Sequence, residues 1–181
     1  MKDYGFTLSE RVERVRNFYG AVSVEHKYDD EDGAYIMKFH HGGITHGVQV
    51  LTPALQQEPL SYYGRQSGVG RAITSLKDKP DAKVGVVGMG TATVAAYGLK
   101  GQTYRFYEIN PAVPEIARKH FTYLSDMEKR GGIVQVVMGD ARLSMEREEP
   151  QQFDVLLLDA FSGDSVPVHL LTREAFEVYR R

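Results

Sequence analysis

The spacing of apolar and polar residues differs between the two halves of the chain. In the first half, apolar and polar side chains alternate within residues 18–28, which is typical of a half-buried β-strand. The acidic turn at 29–33 and the apolar return at 34–39 predict a hairpin, and a further short strand is expected at 45–51. Apolar residues at helical spacing then predict a helix over 67–77.

In the second half, four continuous apolar runs are each followed by a predicted helix. Apolar strands that alternate with helices indicate a parallel sheet covered on both faces. The sequence therefore predicts an α/β protein with a Rossmann-like sheet over 82–181, an N-terminal β-strand domain over 1–60, and a helix and linker over 61–81. The predicted strands are 83–87, 104–107, 133–138 and 155–158, and the predicted helices are 92–99, 112–123, 141–147 and 168–179.

The end of the chain bears on assembly. Arg181 follows the fourth predicted helix without a further strand. If the first parallel strand is central, the fourth lies beside it and forms an edge that exposes apolar backbone. We therefore expect either a sheet truncated after its fourth β-α unit or a partner subunit that completes it, and we expect a homo-oligomer, most simply a dimer.

Composition excludes several classes of function. The chain has 181 residues, 42% of them hydrophobic, with a net charge of −2 and no cysteine. There is no basic excess of the kind that binds nucleic acid, and there is no basis for a disulfide framework or a thiolate metal site. No apolar run approaches the ~20 residues of a membrane helix, and residues 1–10 lack the apolar stretch of a signal peptide. We expect a soluble cytoplasmic protein without a membrane segment in this chain.

Each of the four parallel strands ends in a residue suited to binding a nucleoside or to chemistry beside one. The first ends in the turn Gly88-Met89-Gly90, the second in Glu108, the third in Asp140 and the fourth in Asp159. Ligands of open α/β sheets bind outside the carboxyl ends of the strands. Four such endings in sequence order predict one crevice with a glycine turn and three carboxylates.

The glycine turn alone is a weak signal. Gly88 and Gly90 permit positive φ and a close approach of a ligand to the backbone, and a helix that starts near Thr91 would point free N–H groups into the crevice. A dinucleotide fingerprint needs a third glycine, and Val94 occupies that position. A tight strand-to-helix turn without a ligand is the alternative interpretation.

The carboxylates strengthen the interpretation of the glycine turn as a nucleoside site. Glu108, about twenty residues past the glycines, is placed to accept both hydroxyls of a ribose, or else is a solvated charge at a strand end. Asp140 either accepts from the exocyclic amine of adenine or caps the next helix. Asp159 follows four apolar residues, and with Asp164 it is suited to orienting and deprotonating an amine; alternatively, Asp164 caps a helix that starts near Pro167.

Two further groups carry less weight. His40, His41 and His46 suggest a metal, but adjacent histidines on a strand point to opposite faces, so we predict no metal site. Tyr62 and Tyr63 either line a substrate pocket or are ordinary interface aromatics.

Taken together, these motifs resemble the spermidine synthase (polyamine aminopropyltransferase) family, in particular a divergent bacterial branch. That family has the class I S-adenosylmethionine-dependent methyltransferase fold with a small N-terminal β-domain, and the likeness extends over about residues 16–179. The segments that carry it are 16–20, 46–49, 61–64, 84–90, 108–110, 139–141 and 158–160.

The resemblance implies transfer of an aminopropyl group from decarboxylated S-adenosylmethionine to a small-molecule amine, with no metal. A methyltransferase that uses S-adenosylmethionine itself is the alternative from the same fold, and a non-catalytic nucleoside-binding or assembly module is a third. The implied roles are Gly88 and Gly90 against the nucleoside and its tail, Glu108 on the ribose, Asp140 and Ala141 on the adenine, Asp159 and Asp164 as the acids of the catalytic loop, and Gln49 and Tyr62 facing the thioether end and the acceptor pocket.

The chain also departs from the family pattern on the side of the amine. Thr91 stands where the family usually has an aspartate, and Asp159 and Asp164 are five residues apart rather than three. Glu58 is the only acid within 56–59, where the family has several. Fewer carboxylates attract a polycationic amine less strongly, so the nucleoside half of the site matches the family better than the amine half.

Overall fold

The N-terminal strands form a four-stranded antiparallel sheet in which each strand pairs with the next. They are β1 (Ser9–Asn17), β2 (Gly20–Asp29), β3 (Ala34–His41) and β4 (Ile44–Val50). The structure is a computed structural model that describes residues 9–29, 33–161 and 166–181. The three predicted strands of this region are confirmed.

Strand β1 was not predicted. It carries mostly charged residues, and its two valines, Val12 and Val15, are three apart rather than two. The register against β2 shifts between Arg11 and Glu13, which makes Val12 the extra residue of a β-bulge. The bulge breaks the two-residue period on which strand prediction depends.

The second sheet is parallel, as predicted. Its strands are β5 (Lys83–Val87), β6 (Thr103–Glu108), β7 (Ile133–Met138) and β8 (Val155–Leu158), in the spatial order β7-β6-β5-β8. The first of these strands therefore lies inside the sheet, and the fourth lies beside it at one edge. This is the α/β class with a Rossmann-like parallel sheet and a separate antiparallel sheet.

The helices differ from prediction at three places. Residues 92–99 form only a short 3₁₀ helix, Thr93–Tyr97, because Ala92 is left-handed at φ 59° and β-branched residues surround it. The predicted helix 112–123 is interrupted by extended backbone at Phe121, and 168–179 is a 3₁₀ turn followed by a capped helix. The α-helices are α1 (Gly68–Thr74), α2 (Ala112–His120), α3 (Tyr123–Lys129), α4 (Ala141–Arg147) and α5 (Arg173–Tyr179).

The two sheets share one hydrophobic core. Val22, Val24 and Phe39 of the antiparallel sheet pack in the same cluster as Val113 and Ile116 of α2. Because α2 follows β6 directly, this packing holds the antiparallel sheet next to the carboxyl ends of the parallel strands. No helix within the described ranges is long and apolar enough to cross a membrane.

Candidate nucleoside-binding site

A pocket of about 390 Å³ lies at the carboxyl ends of the parallel strands. This volume falls within the usual range of small-molecule sites. Among the described residues that line the pocket are three carboxylates and three histidines, but no lysine or arginine. The residues predicted from the sequence that line it are Gly88, Gly90, Glu108, Asp140, Ala141, Asp159 and Tyr62.

The turn after β5 depends on glycine. Gly88 has φ 88° and Gly90 has φ 51°, both in the region that disfavours side chains. A Cβ atom on Gly88 would lie 2.6 Å from the backbone oxygen of Asp159 and 2.9 Å from Cα of Ala160. The chain that follows β8 therefore packs directly on this turn and brings Asp159 beside it.

Substitution of Gly88 by alanine is expected to lower the free energy of unfolding by at least ~2 kcal/mol, because it adds backbone strain to a backbone clash. Gly43→Ala is the matched control, since Gly43 has ordinary backbone and a Cβ atom added there would meet nothing within 4 Å. Urea denaturation of both variants measures the difference. Equal stability of the two would contradict the close packing of Gly88 on Asp159.

Glu108 is almost fully buried, with 8% of its surface exposed, and it faces the pocket. Its Oε2 accepts from the backbone N–H of Met89 at 2.9 Å, and its Oε1 accepts from that of Asn110 at 2.8 Å. Burial raises the pKa of Glu108, whereas the donated N–H bonds and nearby His41 oppose that rise. Each carboxylate oxygen keeps a second lone pair, so two ribose hydroxyls can bind without displacing the backbone bonds.

Asp140 caps helix α4, which was one of its two predicted roles. Its Oδ1 accepts from the N–H of Leu143 at 2.9 Å, and its Oδ2 lies 2.8 Å from Nε2 of His169. Asp140 and the buried Ala141 also line the pocket, so contact with a base stays a prediction compatible with the cap.

Asp159 is held by two tyrosines. Its Oδ2 accepts from the hydroxyl of buried Tyr63, and the Tyr62 hydroxyl lies 3.3 Å from the same oxygen. Burial raises the pKa of Asp159, and the bonds from Tyr63 and then Tyr62 oppose that rise. Burial and the charge of Asp159 raise the pKa of Tyr62 to about 12, although the bond to Tyr63 opposes them, so both phenols stay protonated donors at neutral pH.

Removal of the Tyr63 hydroxyl (Tyr63→Phe) is expected to raise the pKa of Asp159 further. Asp159 is predicted from the sequence to deprotonate an amine, and a base acts only when deprotonated, so the acidic limb of the pH profile of kcat/KM for transfer to an amine should move to higher pH. Tyr104→Phe is the control, because the buried Tyr104 hydroxyl lies outside the pocket and has no partner among the described residues. A profile that moved equally in both variants, or in neither, would contradict the assigned role of Tyr63.

Three other residues discussed from the sequence do not join this arrangement. Gln49 was expected at the thioether end, but it is fully buried outside the pocket: its Nε2 donates to Gln56 O and Thr122 Oγ1, and its Oε1 accepts from Thr122 N. Thr91 is buried, with its hydroxyl 2.8 Å from that of Thr93. Asp164 lies outside the described residues.

The structure also adds pocket residues to which the sequence gave no individual role. Asn110 lines the pocket and is 3% exposed; its Oδ1 accepts from Asn17 Nδ2 at 2.7 Å and from Ala112 N at 3.1 Å. Those two bonds fix the orientation of the amide, and Nδ2 is left without a partner among the described residues. Phe18 and Tyr19 reach the pocket from the turn after β1, which no local pattern predicts.

The three histidines of β3 and β4 lie in different environments. His40 pairs with Glu25 at 3.2 Å, whereas His41 and His46 line the pocket with ring centroids 5.8 Å apart. Within the ranges that the structure describes, no three His, Cys, Asp or Glu side chains form a group that could hold a metal ion.

The donor set of the pocket suits a nucleoside with a cationic tail. Glu108 has acceptor capacity for a diol, and the glycine turn lets a ligand approach the backbone. Three carboxylates without a lysine or arginine in the described lining favour positive charge in the ligand.

Comparison with known proteins finds transferases over parts of their length. Over 69 residues, the chain is 41% identical to the polyamine aminopropyltransferase of Vibrio vulnificus. The aligned segment covers 37% of this chain and 21% of that protein. It is 25% identical to the N-terminal histidine N-methyltransferase of Emericella nidulans over 95% of this chain and 31% of that protein. The chain thus spans less than a third of the length of either relative. No protein-family model matches it.

Among solved structures, the chain is similar to the crystal structure of MnmC2 from Aquifex aeolicus. The TM-score is 0.46 at 15% identity, over 84% of this chain and 54% of that one. The two sequence relatives and the order of the parallel strands together support the fold of S-adenosylmethionine-dependent transferases.

Proposed function

We propose that the chain is a transferase that moves an aminopropyl group from decarboxylated S-adenosylmethionine to a small amine. The observation that carries this proposal is the position of Asp159, beside the glycine turn and with both tyrosine hydroxyls on one of its oxygens. Its other oxygen has no bonded partner among the described residues and is suited to an amine. The aminopropyltransferase relative supports the same reaction class.

The co-substrate supplies an electrophilic carbon bonded to a positively charged sulfur. The amine nitrogen forms a bond to that carbon, the carbon–sulfur bond breaks, and neutral 5′-methylthioadenosine leaves. Asp159 accepts the proton that the amine gives up and orients the nitrogen lone pair. Glu108 and the glycine turn hold the nucleoside, so that alignment of the reactants contributes most of the acceleration.

Methyl transfer from S-adenosylmethionine is the second candidate. The N-methyltransferase relative aligns over 95% of this chain, whereas the aminopropyltransferase aligns over 37%. Thr91 also packs in the core and presents no acid to the pocket. The two candidates share the nucleoside contacts and differ in the tail of the co-substrate.

Titration calorimetry with decarboxylated and ordinary S-adenosylmethionine separates the two candidates. We expect the decarboxylated form to bind more tightly, because the described lining offers carboxylates and no basic residue to a tail carboxylate. Product analysis by mass spectrometry with putrescine, spermidine and histidine as acceptors identifies the transferred group. Equal or tighter binding of ordinary S-adenosylmethionine, with methylated product, would replace the first candidate by the second.

A further inference from the structure

The turn between β1 and β2 presents to the pocket an aromatic ring that no described residue covers. Phe18 lines the pocket, and 95% of its surface is exposed. Its ring meets that of Tyr19 edge-on, with the ring centroids 5.3 Å apart. Isolated exposed phenylalanines are ordinary on a protein surface, but a ring at the rim of a pocket offers apolar surface that a ligand can cover.

The turn is held in place by side chains of the pocket. Asn17 Oδ1 accepts from the backbone N–H of Tyr19 at 2.9 Å, and Asn17 Nδ2 donates to Oδ1 of Asn110 at 2.7 Å. His41 Nε2 donates to the backbone oxygen of Tyr19 at 2.9 Å. Both Asn110 and His41 line the pocket. The position of Phe18 is therefore set before a ligand arrives, so that ordering the turn costs little free energy on binding.

The bond between Asn17 and Asn110 places Phe18 beside the loop after β6. Asn17 directly precedes Phe18, and Asn110 lies two residues after Glu108, which has acceptor capacity for the ribose. Ile109 also lines the pocket and has 43% of its surface exposed. Two exposed apolar side chains therefore neighbour this one hydrogen bond, next to the position proposed for the sugar.

The order of the parallel strands gives the direction of the base. In the co-substrate, the base and the sulfur are attached at opposite ends of the ribose. Asp159, which is assigned to the amine, follows β8 on the far side of β5 from β6. With the ribose on Glu108 at the end of β6, the sulfur and its tail extend towards Asp159, so the base lies at the ends of β6 and β7. Phe18 is anchored at that end of the pocket.

Resting on the nucleoside part of the proposed function, we propose that Phe18 stacks its ring on the base of the bound co-substrate. A purine offers two flat faces on which an aromatic side chain can pack. The turn after β1 thereby closes the pocket over the nucleoside from the side of the antiparallel sheet. The base is common to ordinary and decarboxylated S-adenosylmethionine, so this contact contributes affinity for both and does not distinguish them.

The first test removes the ring. Phe18→Ala is expected to weaken binding of 5′-methylthioadenosine ~5-fold or more, from the lower end of the range for a base stacked on an aromatic side chain. 5-Methylthioribose carries the sugar and the thioether without a base, and its affinity should change less than about twofold. Ligand-observed NMR measures both dissociation constants, because it also covers weak binding. Phe18 is almost fully exposed, so the substitution should leave the fold intact, and Phe18→Tyr should restore the affinity.

The second test uses the absence of tryptophan from the chain. Phe18→Trp places a single indole at the rim of the pocket, and 5′-methylthioadenosine should change its fluorescence emission because the base covers the ring. The matched control is Phe176 on α5, which meets Tyr179 edge-on with centroids 5.8 Å apart but lies outside the pocket lining. Phe176→Trp should keep its emission when the ligand is added, and Phe176→Ala should bind as the unsubstituted protein does.

Several outcomes would overturn the proposal. An unchanged emission in Phe18→Trp would mean that the ligand does not cover this position. Equal weakening of both ligands in Phe18→Ala would assign the contact to the sugar or to the shape of the turn. If the unsubstituted protein does not bind 5′-methylthioadenosine, the proposed function fails and this inference fails with it. If it binds and Phe18→Ala binds equally well, the Phe18 assignment fails alone.

Discussion

Replacement of Asp159 with asparagine (Asp159→Asn) is expected to lower kcat by ~10²- to 10⁴-fold, the range that a positioned general base contributes. Asparagine has the same shape, and its carbonyl oxygen can accept from Tyr62 and Tyr63, so the pocket should keep its form. It cannot take the proton from the attacking amine. The affinity for 5′-methylthioadenosine should therefore change less than about threefold, because Glu108 and the glycine turn make the nucleoside contacts.

The matched control is Asp154→Asn, just before the opposite end of strand β8. Asp154 pairs with Lys79 and accepts from the backbone N–H of Lys83, far from the pocket lining. We expect that variant to lose some stability and to keep its turnover. Full turnover in Asp159→Asn would remove Asp159 from the chemistry, and no turnover in the unsubstituted protein with any amine would favour a binding module.

Substitution of Glu108 by glutamine (Glu108→Gln) is expected to weaken binding of 5′-methylthioadenosine at least ~10²-fold. Hydrogen bonds to a charged group contribute about 1.5–3 kcal/mol each, and a ribose makes two. The amide also turns one acceptor into a donor, which then faces the backbone N–H of Met89 or Asn110. Thermal stability should fall as well, because one of these buried N–H groups loses its acceptor.

A second ligand distinguishes a loss of ribose recognition from a loss of protein stability. The 2′-deoxy analogue lacks one hydroxyl, so it should bind the unsubstituted protein ~10-fold more weakly and Glu108→Gln with little further loss. Glu115→Gln on the surface of α2 is the control and should behave as the unsubstituted protein. Full sensitivity to the missing hydroxyl in Glu108→Gln would place the ribose elsewhere in the pocket.

The pattern of residues along the chain predicted the structure correctly where a single strand or a single turn determines it. The run over 83–87 is apolar after Lys83 because this strand lies inside the sheet with both faces covered, and its bounds agree with the strand observed. The cap at Asp140 follows from its place before a helix. Glu108 and Asp159 reach one pocket because parallel strands end at the same side of their sheet.

The pattern along the chain gave wrong predictions where the structure depends on an unusual backbone conformation or on contacts between residues far apart in the sequence. The expected helix at 92–99 gives way to a 3₁₀ turn, which removes the predicted helix N-terminus at the glycine turn. Strand β1 has a bulge that conceals its alternation. Gln49, expected in the pocket from family resemblance, instead bonds the backbone oxygen of Gln56 and Thr122, which lies 73 residues away in the sequence.

The sequence by itself determined the four parallel strands and the residues that end each of them, because these depend on neighbours along the chain. Only the tertiary structure decided that Tyr63 binds Asp159, that Asn17 orients Asn110, and that His46 lies over the turn at Gly90. The first two contacts join residues 96 and 93 positions apart. Packing of one sheet against the other creates such contacts, and no local spacing encodes them.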